Sequence, residues 1–306
     1  METFEIVIPG STSNIGPGFD TLGIALNIYN RLIVEPSRGS MKIIFEDGVE
    51  EKYTKNVLKL IKNTASAYFE RTSSPRPKAK FIFRNQVPIA RGLGSSATFR
   101  LGMLTALNRL SKAQAGSSSL LDSEILDLAC GLEKHTENCV ASMVGGFTAS
   151  GFVGDAVRYG RFEIKEDLTF VTAVPELPMS TAYTRKLIPR RISLKDAVAN
   201  LNRTALLIHA LISGKTKDLQ ELLDDRLHQP FRAKIITPLY EIIDVAKRAG
   251  ALGAFLSGSG SSIIAITKEN ALEIGKAMKK VLDKNGWQCD VLALKVDNTG
   301  LQIREE

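Results

Sequence analysis

A strand pattern, KFIFRNQVPI (residues 80–89), runs through Ala90 and Arg91 into Gly92-Leu93-Gly94-Ser95-Ser96-Ala97, and from Thr98 onward Phe99, Met103, Leu107 and Leu110 recur at helical spacing. The bare stretch is therefore the turn that delivers a strand into a helix N-terminus. Glycine tolerates positive φ and lets backbone N–H groups line an anion, while a helix N-terminus adds free N–H donors and a positive dipole. Paired serines with no long side chain are hard to justify by turning alone, and either hydroxyl can reach a phosphate oxygen or a Mg2+ ion. Two more small-residue loops follow strands, PGSTSNIGPGFDTLG at 9–23 and LSGSGSS at 256–262. Each of the three loops follows a strand, and strands and helices interleave along the chain.

The two commonest nucleotide loops do not match. Gly92-Leu93-Gly94-Ser95-Ser96-Ala97 satisfies G-x-G-x-x-A, but the acid expected about 20 residues later, at the end of the next strand, would fall inside or just past a helix. Gly214-Lys215-Thr216 is a G-K-[ST], but His209 stands where the Walker A pattern G-x-x-x-x-G-K-[ST] needs its first glycine, which excludes that loop. A third kind of phosphate loop is required.

Along the chain, FEIVIPG reads as a strand stopped by Pro9-Gly10, and NRLIVEPS as one ended by Pro36. Residues 55–70 carry Val57, Leu58, Ile61, Ala65 and Tyr68 at helical spacing, RTSSPRPK is a loop, SKAQAGSSS a linker, and SEILDLACGLEK a helix closing near HTEN. GGFTASGFVG is turn-rich and begins a strand. After a composition seam at 155–167 come a strand TFVTAVPEL, helices at 193–213 and 216–228, a helix after Pro238, the strand pair AFLSGSGSSIIAIT, a helix at 269–285 and a last strand CDVLALKV. The expectation is an α+β chain of two domains, 1–160 and 161–306.

Composition narrows the function classes. With 306 residues, 44% hydrophobic and 24% charged, the chain can build one large or two medium cores. The net charge is +7, but Lys and Arg are dispersed among acids with no basic tract or RNP-type aromatic motif, which argues against nucleic acid and for anionic small molecules. No apolar run approaches the roughly 18–20 residues of a membrane span, so no membrane partner is expected. METFEIVIPG has no basic-then-apolar pattern, so no signal peptide is expected. Cys130, Cys139 and Cys289 show no CxxC spacing, which suggests reduced thiols and a cytoplasmic setting.

Pro88 to Ala97 reproduces every specified position of P-x-x-x-G-L-G-S-S-A, the ATP loop of the GHMP kinases, and the chain resembles that superfamily. Within it the homoserine kinase branch is most similar. TSNIGPGFDTLGIAL (12–26), LEKHTEN (132–138) with VGGF, STAYTRKLIP (180–189), QPFRAKIITP (229–238), LSGSG (256–260) and VDNTG (296–300) follow its segments in order over the whole chain. The resemblance implies an N-terminal ribosomal-protein-S5-like domain, a C-terminal ferredoxin-like α/β sandwich, and ATP-dependent phosphorylation of the hydroxyl of L-homoserine. A homodimer is compatible with it.

Residue by residue, the resemblance places ATP against Pro88, Ile89, Ala90, Arg91, Gly92, Leu93, Gly94, Ser95, Ser96, Ala97 and Thr98, with Asn56-Val57 at the adenine. Ser96, or its neighbour Ser95, and Glu133 would hold Mg2+, an ion satisfied by few protein oxygens. Arg185 and Arg232 match the family's carboxylate-binding arginines, whose planar fork suits a carboxylate as lysine does not. Asn14, Asp20, Glu137 and Asn138 are the acceptor candidates for the ammonium and hydroxyl, His135 lies beside the substrate, and Gly258 contributes from the third loop. Ser96, Glu133 and Glu137 are the catalytic candidates, and the use of a general base is open. His209 and His228 read as packing or surface residues.

Four departures from the family pattern stand out. Gly-His-Pro-Asp is replaced by Lys134-His135-Thr136-Glu137, S-G-[SA]-G-P-T by Ser257-Gly258-Ser259-Gly260-Ser261-Ser262, P-A-[TS]-S-A-N by Pro9-Gly10-Ser11-Thr12-Ser13-Asn14, and the helix after the ATP loop opens with Phe99-Arg100. Glutamate at 137 touches the substrate most directly. It keeps open a different alcohol substrate for the same superfamily, or a ligand sensor without turnover.

Overall fold

In the computed structural model, which describes residues 2–113 and 118–305, the chain begins with β1 (Phe4–Ser13), β2 (Leu22–Pro36), β3 (Lys42–Asp47), α1 (Glu51–Thr72) and β4 (Ala79–Asn85). There follow α2 (Ser95–Lys112), α3 (Asp122–Glu133), α4 (Glu137–Val144), β5 (Phe147–Val153) and β6 (Ala156–Phe162). The second half holds β7 (Thr169–Pro175), α5 (Thr181–Lys186), α6 (Leu194–Ser213), a 3-10 turn (Thr216–Asp218), α7 (Leu219–Leu222), α8 (Gln229–Arg232) and α9 (Leu239–Arg248). Last come β8 (Gly253–Leu256), β9 (Ile263–Thr267), α10 (Ala271–Lys284), β10 (Cys289–Leu294) and β11 (Gln302–Glu305).

The strands form two sheets. A seven-stranded sheet runs β11-β1-β2-β4-β3, with β5 also paired to β2 and β6 to β5, and a four-stranded sheet runs β10-β7-β9-β8. The long β2 is shared: residues 30–36 pair with β4 and residues 22–24 with β5. α1, α2 and α3 cover the first sheet through Val57, Ile61, Tyr68, Phe99, Leu107, Ile125 and Leu126, and α9 and α10 cover one face of the second through Ile242, Ala246, Ile274 and Met278. A third apolar cluster joins Ile24, Leu26 and Phe147 of the first sheet to Phe170, Ile264 and Ile266 of the second, with Leu207 and Leu211 of α6 between. That shared core fixes the two halves against each other. No helix among the described residues is long and apolar enough to cross a membrane, and all three cysteines are free and buried.

Several elements differ from expectation. β1 does not stop at Pro9-Gly10 but continues to Ser13 through a register shift there, a bulge being a place where a strand tolerates proline's missing N–H. α4 lies where the sequence suggested only a helix end and turns, because Glu137 through Ser142 are all buried and leave no amphipathic stripe to read. FTASGFV is strand throughout, and β6 occupies the expected seam. The helix expected at 216–228 breaks after α7: Asp225 Oδ1 accepts the N–H of Leu227, and its Oδ2 accepts those of His228 and Gln229. α5 and α8 are short and escaped the periodicity. β6 ends at Phe162, and β11 returns from the chain end to pair with β1 in the first sheet. Of the expected linker SKAQAGSSS, residues 114–117 lie outside the described residues.

Candidate active site

The three small-residue loops meet. Ser11 N–H donates to Leu93 O at 3.1 Å, Gly258 N–H to Ser13 O at 3.0 Å, and Ser262 N–H to Arg91 O at 3.1 Å. Side chains reinforce the junction: Ser257 Oγ donates to Gly92 O at 2.7 Å, and Asn14 Nδ2 to Gly258 O at 2.8 Å. The glycines of the middle loop are bare for this reason. At Gly92 (φ +77°) a Cβ would lie 2.2 Å from Ser257 O, and at Gly94 (φ +73°) 2.3 Å from Ser11 Oγ. Gly94→Val is therefore expected to fail first in folding, combining left-handed strain with a clash against the buried, hydrogen-bonded Ser11 hydroxyl. A thermal melt of Gly94→Val within a degree of the parent would contradict that.

Gly94 delivers the chain into α2 with no side-chain cap. Thr98 N–H is the first to find a helical acceptor, Gly94 O at 3.1 Å, so the N–H groups of Ser95, Ser96 and Ala97 have no intrahelical partner. Ser95 Oγ is buried with no partner. An open, uncapped helix start of this kind suits an anion.

It opens on a cavity of about 350 Å³. Of the expected nucleotide residues, Asn56, Val57, Ile89, Ala90, Arg91, Gly92, Leu93, Gly94, Ser95 and Ser96 line it. Three do not. Pro88 lies outside the lining, Ala97 is packed in the first core, and the Thr98 hydroxyl is held by Asn30 Nδ2 and Ser95 O at 2.7 Å each, because the inward side of α2's first turn faces the sheet. All the expected substrate residues, Asn14, Asp20, His135, Glu137, Asn138, Arg185, Arg232 and Gly258, line the same cavity. Leu60, Phe99, Met179, Ser180, Thr181 and Ser259 line it too, and no sequence motif singled them out as ligands. Ser180 and Thr181 sit in the quoted STAYTRKLIP segment, the one signal that could have found them.

Glu133, at the end of α3, accepts from Ser96 Oγ at 2.7 Å, while its Oε1 is held by Arg100 Nε. Arg100 in turn donates to Thr64 Oγ1 at 2.8 Å. A carboxylate and a hydroxyl thus adjoin the uncapped helix start. No group of three or more His, Cys, Asp or Glu side chains placed to hold a metal exists among the described residues. That pairing fits Mg2+, which keeps waters and shares substrate phosphates.

Glu137 opens α4, where the helix dipole favours a carboxylate. Burial alone would raise its pKa, but His135, a backbone N–H and Arg185 together hold it below the ordinary range. Its Oε1 lies 3.3 Å from His135 Nδ1, and its Oε2 is buried with no partner. Burial would lower the His135 pKa, yet Glu137 and Glu133 raise it above its ordinary value of 6.5. Each partner's ionised form is therefore favoured in the fold. The pair's stabilisation is complete between about 4.5 and 6.5, the ordinary values. It falls away as pH rises through the raised imidazole value or drops through the lowered carboxyl value. The melting-temperature advantage of the parent over His135→Gln should shrink in alkali; a flat difference from pH 6 to 9 would refute the pair.

Asp20 and Arg185 form a two-pronged ion pair, 2.7 Å on both prongs, so the Arg185 fork is occupied. Asn14 (φ +70°) accepts from Asp20 N–H at 3.0 Å and donates to Gly258 O, while Asn138 bridges Ser11, Ser13 and Glu137. Both asparagines stitch loops together as well as lining the cavity. Arg232, 1% exposed, is the most deeply buried of the arginines that line the cavity. Burial pushes its pKa down to about 10, the mark of a cation short of an anion. Nη1 donates to Gly258 O at 2.7 Å, and Nε has no partner.

Residues 55–146 match the GHMP kinases N terminal domain and residues 207–284 the GHMP kinases C terminal model. The homoserine kinase of Aquifex aeolicus is 36% identical over 308 residues, covering 98% of this chain and 99% of that one. The chain belongs to the homoserine kinase family of the GHMP kinases. The homoserine kinase of Caldanaerobacter subterraneus subsp. tengcongensis is 35% identical over 300 residues, covering 98% and 95%. The crystal structure of homoserine kinase from Cytophaga hutchinsonii superposes with a TM-score of 0.86 at 25% identity over 99% and 98% of the chains. The fold and the activity class are therefore those of an ATP-using GHMP phosphotransferase, as the resemblance implied.

Proposed function

We propose that this cavity transfers the γ-phosphoryl group of ATP to the side-chain hydroxyl of L-homoserine, giving ADP and O-phospho-L-homoserine. One observation carries the reading. Glu137 and Arg232, of opposite charge, line one cavity, and each has a buried polar atom without a partner, Oε2 and Nε. Buried polar atoms are normally satisfied, so both call for a ligand. A zwitterion meets both demands, its ammonium or hydroxyl at Glu137 and its carboxylate at Arg232.

Phosphoryl transfer asks chiefly for positioning and charge neutralisation. The free N–H groups at the start of α2 hold the phosphates, and Val57 and Leu60 of α1 offer the base an apolar wall. Ser96 and Glu133 hold Mg2+, which supplies neutralisation of phosphate charge when bound. Glu137, its carboxyl held below the ordinary range beside His135, orients the acceptor, and Arg185, clamped by Asp20, adds positive field. With this reading go a cytoplasmic location and a homodimer as parts of the proposal. The apolar stripe Leu194, Val198 and Leu201, 80%, 44% and 69% exposed on one face of α6, supports the dimer, and solution mass tests it.

A coupled assay of ADP release with ATP and Mg2+ tests the activity. Turnover should require L-homoserine and be lost with 4-hydroxybutyrate, which lacks the ammonium. Equal turnover without any amino acid would sink the proposal. Glu133→Gln should raise the Mg2+ concentration for half-maximal rate by about tenfold and weaken Mn2+ binding seen by magnetic resonance, with a fall in melting temperature as well because Arg100 loses its buried counter-charge.

A further inference from the structure

His228, at the N-cap of α8, is fully buried and does not line the cavity. Its ring joins two groups of fixed polarity. Nε2 lies 2.9 Å from Gly16 O, which can only accept, and Nδ1 lies 3.1 Å from Arg232 Nη1, which can only donate. One protonation state satisfies both: the neutral ring with its proton on Nε2. The cationic ring would set an Nδ1–H against a guanidinium N–H.

The surroundings are built to hold that ring. The carboxylate of Asp225, 3.5 Å from Nε2, is bound by the N–H groups of residues 227, 228 and 229 and by Asn200 Nδ2 at 2.7 Å. Phe19 stacks on the ring at 5.4 Å and 24°. The charged groups acting on it are Asp225, Arg232 and Asp20, and burial, the largest influence, brings its pKa down to about 4. The ring is neutral throughout the working range.

Donor accounting shows the consequence. Arg232 Nη1 carries two protons, one taken by Gly258 O and one by His228 Nδ1. With Nη1 fully engaged, the guanidinium cannot rotate without breaking both bonds, and its Nε edge is left for a ligand. We propose that His228 is a positioning residue that pins Arg232 Nη1 and so presents the Nε–Nη2 edge to the substrate carboxylate. The inference rests on the reading of Arg232 given under Proposed function.

The test compares His228→Phe, His228→Asn and Arg232→Lys in the full-length enzyme. Phenylalanine keeps the stacking on Phe19 and loses the acceptor, so KM for L-homoserine should rise about tenfold while KM for ATP stays within about twofold, the scale of one hydrogen bond to a charged group. Asparagine places an oxygen near the Nδ1 position and should hold homoserine KM within about threefold of the parent, although its melting temperature falls with the lost Gly16 bond. Histidine-selective nitrogen NMR should show the Nε2–H tautomer of His228 between pH 6 and 8. An unchanged homoserine KM in His228→Phe, or an equal rise for ATP, overturns the proposal, as does a proton on Nδ1, which decides the matter even where His228→Phe does not fold. If Arg232→Lys raises homoserine KM and His228→Phe does not, the carboxylate reading stands and the positioning role falls. If Arg232→Lys leaves homoserine KM unchanged, both fall.

Discussion

Glu137→Gln is expected to cut kcat/KM for L-homoserine by about a hundredfold or more, equivalent to roughly 2.7 kcal/mol of transition-state stabilisation. The carboxylate is fully buried, kept ionised by His135, and carries one oxygen without a partner. Glutamine removes the charge facing the ammonium or hydroxyl and turns one acceptor into a donor. It also leaves His135 without its nearest counter-charge, so a modest fall in melting temperature should accompany the loss. Glu137→Asp keeps the charge but withdraws it by on the order of 1.5 Å, one carbon–carbon bond. A misplacement of that size costs up to about a hundredfold in rate. A partial loss, with L-homoserine still the preferred substrate, is the expected result in a panel of amino alcohols. Parent-level kinetics in Glu137→Gln would remove the carboxylate from the substrate site. A gain in turnover for Glu137→Asp would mean that glutamate at this position impairs the enzyme.

Arg232→Lys should raise KM for L-homoserine by about tenfold to a hundredfold, with KM for ATP nearly unchanged. Lysine keeps the charge and loses the planar fork. Here the fork does two tasks at once, bonding Gly258 O and His228 through Nη1 while Nε stays free. An ammonium cannot divide itself between those directions, and a charge-assisted hydrogen bond is worth roughly 1.5–3 kcal/mol. Initial-rate kinetics with each substrate varied in turn separates the outcomes. If KM for ATP rose and that for L-homoserine did not, Arg232 would belong to the phosphate side of the cavity. The contrast with Arg185 sharpens the expectation. Its fork is already filled by Asp20, so Arg185→Lys should be the milder change.

The chain's own order of residues determined whatever depends on near neighbours. Strand, glycine-rich turn and helix around Gly92–Ser96 are legible because a bare turn at a helix start is a local chemical statement. α1, α6, α9 and α10 announced themselves because each buries one face and shows the other to water. α4 did not, since a short helix buried all round has no period to detect. β11 did not either, because its partner β1 lies at the opposite end of the chain.

The site divides along the same line. Motif resemblance placed Ser96, Glu133, Glu137 and Arg232 near one another, but only the fold decided what each has left to offer. Arg185 is spent on Asp20, Arg100 occupies one oxygen of Glu133, and His228, which read as packing, grips Arg232. Gly92 and Gly94 suggested room for a phosphate; in the folded chain their missing side chains make room for Ser257 and Ser11. A residue's valence is local, but which of its hydrogen-bonding groups remain unclaimed is settled by partners far away in sequence.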